Sequence, residues 1–330
     1  MRRLDVLGLA AILCSAPMVM GADPDAPSQA RPAAATVAQD VNLFAADLYA
    51  RLRSTEQGNL FFSPQSISTA LAMTYAGARG QTAEEMARTL HFSLPQDRLP
   101  PAYAELLHTL RGGGTQGYRL SIANRLWGQR GLSFLAPFVE VTRRDYGAEL
   151  GLVDFASNAE GARGEINGWV AKETEQKIRD LIPAGVLGPD TRLVLANAIY
   201  FRGDWARQFE KSATREQPFH VTGGTTVAVP LMFSRTTVGF AAQPDAGFKV
   251  VELPYKGDDL SISAVLHTAR VDVDEQGTEA AAATGVAVGV RAMRPEEPPT
   301  FRADHPFVFF IRHNPTGAIL FLGRLTNPKP

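Results

Sequence analysis

The feature that most constrains the fold is a change of period partway along the chain. Over residues 38–54, Val41, Leu43, Phe44, Leu48, Tyr49 and Leu52 recur at helical spacing. Ser63-Pro64 then opens a second helix, with Ser as cap and Pro in the first turn, which stops near Gly77. Short helices follow over 82–90, where Thr82 and Glu85 make a capping box, and over 98–110. From Tyr118 the alternation becomes two-residue. Strands are expected over 118–127, 150–155, 192–201, 217–221, 226–232, 249–253, 262–273, 307–311 and 318–322, with helices over 134–143 and 164–180 between the first of them. Helices come first and strands dominate later, which predicts an α+β fold of antiparallel and mixed sheets with N-terminal helices, not alternating βαβ units.

Length and composition narrow the function. A chain of 330 residues allows one large domain or about two. The net charge of −1 gives no electrostatic case for nucleic acid or an anionic membrane surface. A single cysteine excludes an internal disulfide framework. The first 21 residues carry Arg2 and Arg3 and a short apolar run that ends in small residues, with cleavage expected after Gly21 or Ala22, which reads as a signal peptide. A secreted, extracellular or periplasmic location is therefore expected. Residues 22–37, rich in Ala and Pro, read as a flexible tether before a single domain over 38–330.

Enzymatic signatures fail. Gly112, Gly114 and Gly117 match GxGxxG, but they follow a helix and precede a strand, the reverse of a dinucleotide site. Asp272, Asp274 and Gly277 resemble a calcium loop, yet Ala283 stands where the bidentate Glu is needed. The six histidines are scattered and none has metal spacing. No catalytic residue, metal or cofactor is expected.

The informative segment is 271–294, VDVDEQGTEAAAATGVAVGVRAMR. Alternating Val and Asp end a strand, Gly277 breaks it, and small side chains follow. Alanine favours a short helix here, but 286–290 is β-prone and Pro295, Pro298 and Pro299 bar further regular structure. The segment reads as an exposed loop able to become a strand.

This segment, EQGTEAAAAT at 275–284, closely resembles the hinge of the serpin family. So do NLFFSPQSISTALAMTYAGARGQT (59–82), LANAIYFRGDW (195–205), VVELPYKG (250–257) and ADHPFVFFIRHNPTGAILFLGRLTNP (303–328), in the family order. The resemblance implies a non-enzymatic serine protease inhibitor, monomeric, that acts as a suicide substrate. Its reactive loop, about 277–299, is cut and inserts into the main sheet. Glu275, Gly277, Thr278, Ala280, Ala282 and Thr284 form the hinge; small alternate residues suit an interior slot. Family spacing puts Arg291 before the scissile bond and Ala292 after it, which implies a trypsin-like target; Arg294 is the alternative, though Pro295 follows it. Ser63, Ser66, Asn197 and His267 match the polar shutter, Trp205 the breach, and Asn167 and Trp169 the helix across the main sheet.

One join departs from the family. Residues 255–261 should lead into a strand of the second sheet, yet 262–267 already matches the strand before the reactive loop. By resemblance, three helices and three strands are missing near Leu260/Ser261, roughly 70 residues at mean element lengths. The strand 262–275 is then expected to be an exposed edge, with an inner strand lost from the second sheet. A non-inhibitory or defective protein, clipped as a substrate or serving as a binding module, is the alternative function.

Overall fold

The computed structural model describes residues 32–112, 117–243, 247–267 and 300–329. The leader and most of the tether, the hinge residues Glu275 to Thr284, and the Arg291–Ala292 bond lie outside the described residues.

Helix α1 spans Ala33–Thr55, so the last five residues of the expected tether 22–37 are helical. Three alanines favour the helix, and Ala34, Val37, Ala38, Val41 and Ala45 make one buried stripe that holds it. Strand β1 (Leu60–Phe62) leads into α2 (Pro64–Gly77), whose cap Ser63 accepts from the Ser66 amide at 3.1 Å. Helix α3 (Gly80–Thr89) begins two residues before Thr82, so the capping box does not form; Glu85 instead accepts from Gln81 Nε2 at 2.7 Å. Helix α4 (Leu99–Gly112) buries Leu99, Tyr103, Leu106, Leu107 and Leu110 against α1 and α2.

A three-stranded sheet follows. It contains β2 (Tyr118–Gln129), β3 (Glu149–Val153) and β4 (Leu193–Gly203), in the order β3-β2-β4. Strand β2 runs parallel to β3 and antiparallel to β4. Helix α5 (Ala136–Tyr146) connects β2 to β3, closing on Gly147 at φ 67°, a left-handed position that favours glycine. Helix α6 (Phe155–Glu173) packs on the outer face of this sheet through Phe155, Ala162 and Ile166 against Trp127 and Ala196. It is displaced toward the N-terminus from the expected 164–180, because Asp154 caps it by accepting from the Ser157 amide at 3.0 Å.

Strands β5 (Arg215–His220) and β6 (Thr226–Leu231) form a separate hairpin. The last strands are β7 (Gly239–Gln243), β8 (Phe248–Pro254), β9 (Leu260–His267), β10 (Phe307–His313) and β11 (Ile319–Leu325). With β1 they build a six-stranded sheet in the order β1-β11-β10-β9-β8-β7. One face rests on Ala45 and Tyr49 of α1; the other shares the main core with α2, α4 and β4.

Strand β9 corrects an expectation. It is no exposed edge: it pairs with β8 on one side and β10 on the other. The second sheet keeps its inner strand. Val265 faces Val250 and Val308, Ser263 faces Glu252 and Phe310, and Ser261 Oγ lies 2.6 Å from Glu252 Oε1. The physical reason is that β8 and β10 would otherwise both present unpaired backbone. The vacancy moves to the three-stranded sheet, where β4 has no strand on its outer side among the described residues.

Candidate functional site: a polar chain between the sheets and an aromatic corner

Three of the four expected shutter residues meet. Ser63 Oγ donates to the Leu320 carbonyl of β11 at 2.6 Å. One turn on, Ser66 Oγ donates to Asn197 Oδ1 of β4. Asn197 Nδ2 donates to Asn124 Oδ1 of β2, directly opposite it in the register. Asn124 Nδ2 then donates to the Tyr146 carbonyl at 2.8 Å, at the end of α5. One chain of hydroxyls and amides thus ties α2 to both sheets and to α5. Its members are wholly or partly buried, so each needs the next. These neutral groups donate and accept hydrogen bonds to one another and to backbone, so the arrangement fixes α2 and the strands relative to each other.

Asn124 is a member that sequence reading missed. It sits in a strand read only for its alternation. Its signal was available: a polar residue at an inward position, two from Ile122 and Leu126, is costly unless bonded. His267, by contrast, ends β9, where its backbone faces Phe248. That places it in the six-stranded sheet, not beside Asn197 on β4. The reason is the same capture of β9 by β8 and β10. Its side chain lies outside the described residues.

Trp205 lies just beyond β4 and makes an isolated antiparallel bridge to Tyr255. Their rings stack at 4.8 Å and 10°, and Phe209 meets Trp205 edge-on at 5.9 Å. Burial pushes the Tyr255 phenol up to about 12. Gly203 permits this approach: a Cβ there would lie 2.7 Å from the Tyr255 ring. Asn167 of α6 is buried and clamps Ile182 by both its amide (2.9 Å) and its carbonyl (3.0 Å). Trp169 meets Trp127 edge-on at 6.3 Å. The two therefore hold α6 and the loop after it against the three-stranded sheet.

Among the described residues, no group of three His, Cys, Asp or Glu side chains is arranged to hold a metal, and no helix is long and apolar enough to cross a membrane.

Comparison with known proteins gives the same framework. The family model Serpin (serine protease inhibitor) matches residues 39–262 and 256–328. Leukocyte elastase inhibitor of Xenopus tropicalis is 34% identical over 371 residues, covering 86% of this chain and 97% of the relative. That of Sus scrofa is 36% identical over 373 residues, with the same coverage. Among solved structures, Arabidopsis AtSerpin1 in its native stressed conformation matches with a TM-score of 0.74 at 27% identity, covering 91% of this chain and 100% of that one. Cleaved Serpin 42Da matches at 0.77 and 25%, covering 90% and 100%.

Two consequences follow. Since 86% of 330 residues is about 284, about 87 of the 371 aligned positions meet no residue of this chain. The family match breaks and resumes within 256–262, at the join noted beside Leu260/Ser261. The expected location is overturned: leukocyte elastase inhibitors are intracellular serpins, which speaks against a secreted, extracellular or periplasmic chain with a signal peptide.

Proposed function

The chain belongs to the serpin family, and from that premise we propose that it inhibits a serine protease as a suicide substrate, cut in the loop 277–299. The observation that carries this reading is the family match over 39–262 and 256–328, which runs the length of residues 38–330 that we take as one domain. The relatives are named as elastase inhibitors, so protease inhibition is their stated activity. The polar chain through Ser66, Asn197 and Asn124 supports it further, because it joins β4, beside which a cut loop would insert, to α2 and both sheets.

The target is trypsin-like. Arg291 precedes the proposed scissile bond and presents a cation that suits an acidic specificity pocket, whereas Arg294 is followed by Pro295. The protein acts as a monomer and needs no cofactor. Glu275, Gly277, Thr278, Ala280, Ala282 and Thr284 supply the hinge. Trp205 stands where insertion begins.

A second reading is favoured by the missing positions and by β4 being the last strand of its sheet among the described residues. There the loop is clipped and no complex is held. Incubation with trypsin and with elastase, followed by a denaturing gel and mass mapping, separates the two. We expect a covalent complex with trypsin, cleavage between Arg291 and Ala292, and loss of that complex in Arg291→Ala. Clipping without complex at any protease ratio would establish the second reading instead.

A further inference from the structure

Beyond the Trp205–Tyr255 stack, the chain between β4 and β5 faces the chain between β6 and β7 across a cavity of about 260 Å³. Trp205, Phe209, Val238, Leu253 and Pro254 give it apolar walls. Arg207 stands at one side, its Nη1 donating to Thr236 Oγ1 at 2.8 Å. Among the described residues no carboxylate pairs with this guanidinium, although its exposed position leaves its other donors open. A second cavity shares Arg207, Ser234 and Thr236 as walls and adds Phe233, which is 59% exposed, Arg235 and the acidic Glu210. The two spaces therefore adjoin through a cationic, hydroxyl-bearing wall. On the first cavity's lining, Asp258 is the one acidic side chain.

We propose that this groove binds a small aryl monocarboxylate. An aromatic body fits walls made of Trp205, Phe209 and Leu253, since offset and edge-on ring contacts add to simple burial. A single carboxylate is complementary to the Arg207 fork, which is already held by Thr236 and loses little freedom on binding. Asp258 repels a second negative charge, so a dicarboxylate or phosphate is selected against. The groove shares no lining residue with the polar chain, and ligand binding there does not depend on whether the chain traps a protease.

Calorimetric titration of the full chain tests it, with 3-phenylpropionate as the probe and 3-phenylpropanamide and benzylmalonate as comparisons. The acid is expected to bind about tenfold tighter than the amide, the scale of one partly exposed charge-assisted hydrogen bond. It is also expected to bind tighter than the dianion. Arg207→Leu should bring the acid down to the level of the amide, while Arg207→Lys keeps part of the preference. Arg207 is exposed, so neither variant should shift the melting temperature, which is read alongside. Equal affinity for acid and amide, tighter binding of benzylmalonate, an unchanged preference in Arg207→Leu, or no heat with the acid at about 10 mM would each overturn the proposal.

Discussion

Asn197 carries more of the fold than its partial exposure suggests, because it is the middle of a chain and not its end. It accepts from Ser66 and donates to Asn124 at once. Removing it strands a hydroxyl and a buried amide oxygen together. Asn197→Ala is therefore expected to cost about 1–3 kcal/mol, the desolvation scale of an orphaned buried polar group, read as a lower urea midpoint. A loss as small as that of an exposed-residue substitution would show that the chain is not a unit. His313 gives a pH-dependent counterpart. Burial holds its imidazole below the ordinary histidine range, with Asp259 pulling weakly the other way. Its Nδ1 lies 2.9 Å from Thr316 Oγ1. A lowered folded pKa means the unfolded chain binds the extra proton first. Stability is thus present above the ordinary histidine value and lost as pH falls through it toward the folded value. The wild-type midpoint should drop between about pH 7.5 and pH 5, and His313→Gln should drop less over the same interval. Equal drops would remove His313 from that slope.

Among the elements, β9 is the one whose neighbours decide its meaning. Ala264 faces Phe309 on one side and Val251 on the other, so the strand has no free edge. Proline at 264 removes a ladder donor and should cost about 3 kcal/mol or more, and amides 262–266 should exchange as slowly as those of β10. Fast exchange there would mean the strand has left the six-stranded sheet. This element also marks where the sequence was ambiguous. The Ser63-Pro64 cap and the end of α2 at Gly77 were legible because they are local chemistry. The Ser63, Ser66 and Asn197 grouping was legible through motifs. The β9 segment was not, because its alternation is the same whether it lies inside a sheet or at its edge. What settles it is that β8 and β10 both need a partner, which no local pattern records. The start of α1 was missed for a related reason: Ala-rich 33–35 is equally tether and helix until Ala34, Val37 and Val41 find a core.

At the scale of the whole molecule, the displacement of β9 bears on how much work a cut loop can do. A strand entering between two neighbours makes about ten backbone hydrogen bonds, on the order of 10 kcal/mol. A strand added only beside β4 makes about half as many, roughly 5 kcal/mol. Proteases are themselves stable by about 5–15 kcal/mol, so one-sided insertion reaches only the lower end of what distorts one. Trapping should then compete with release, and complex should accompany clipped product at every ratio. The same arithmetic fixes the thermal signature. For a domain near this size, each kcal/mol moves the melting temperature by about 2–4 °C, so one-sided insertion after cutting should raise it by roughly 10–20 °C. Cleavage at Arg291 followed by a melting scan measures this directly. A much larger rise would show that β4 gains a second flanking strand on insertion, which requires β9 to leave the six-stranded sheet. No rise would mean that the cut loop stays out, and with it the energy that any covalent capture of a protease depends on.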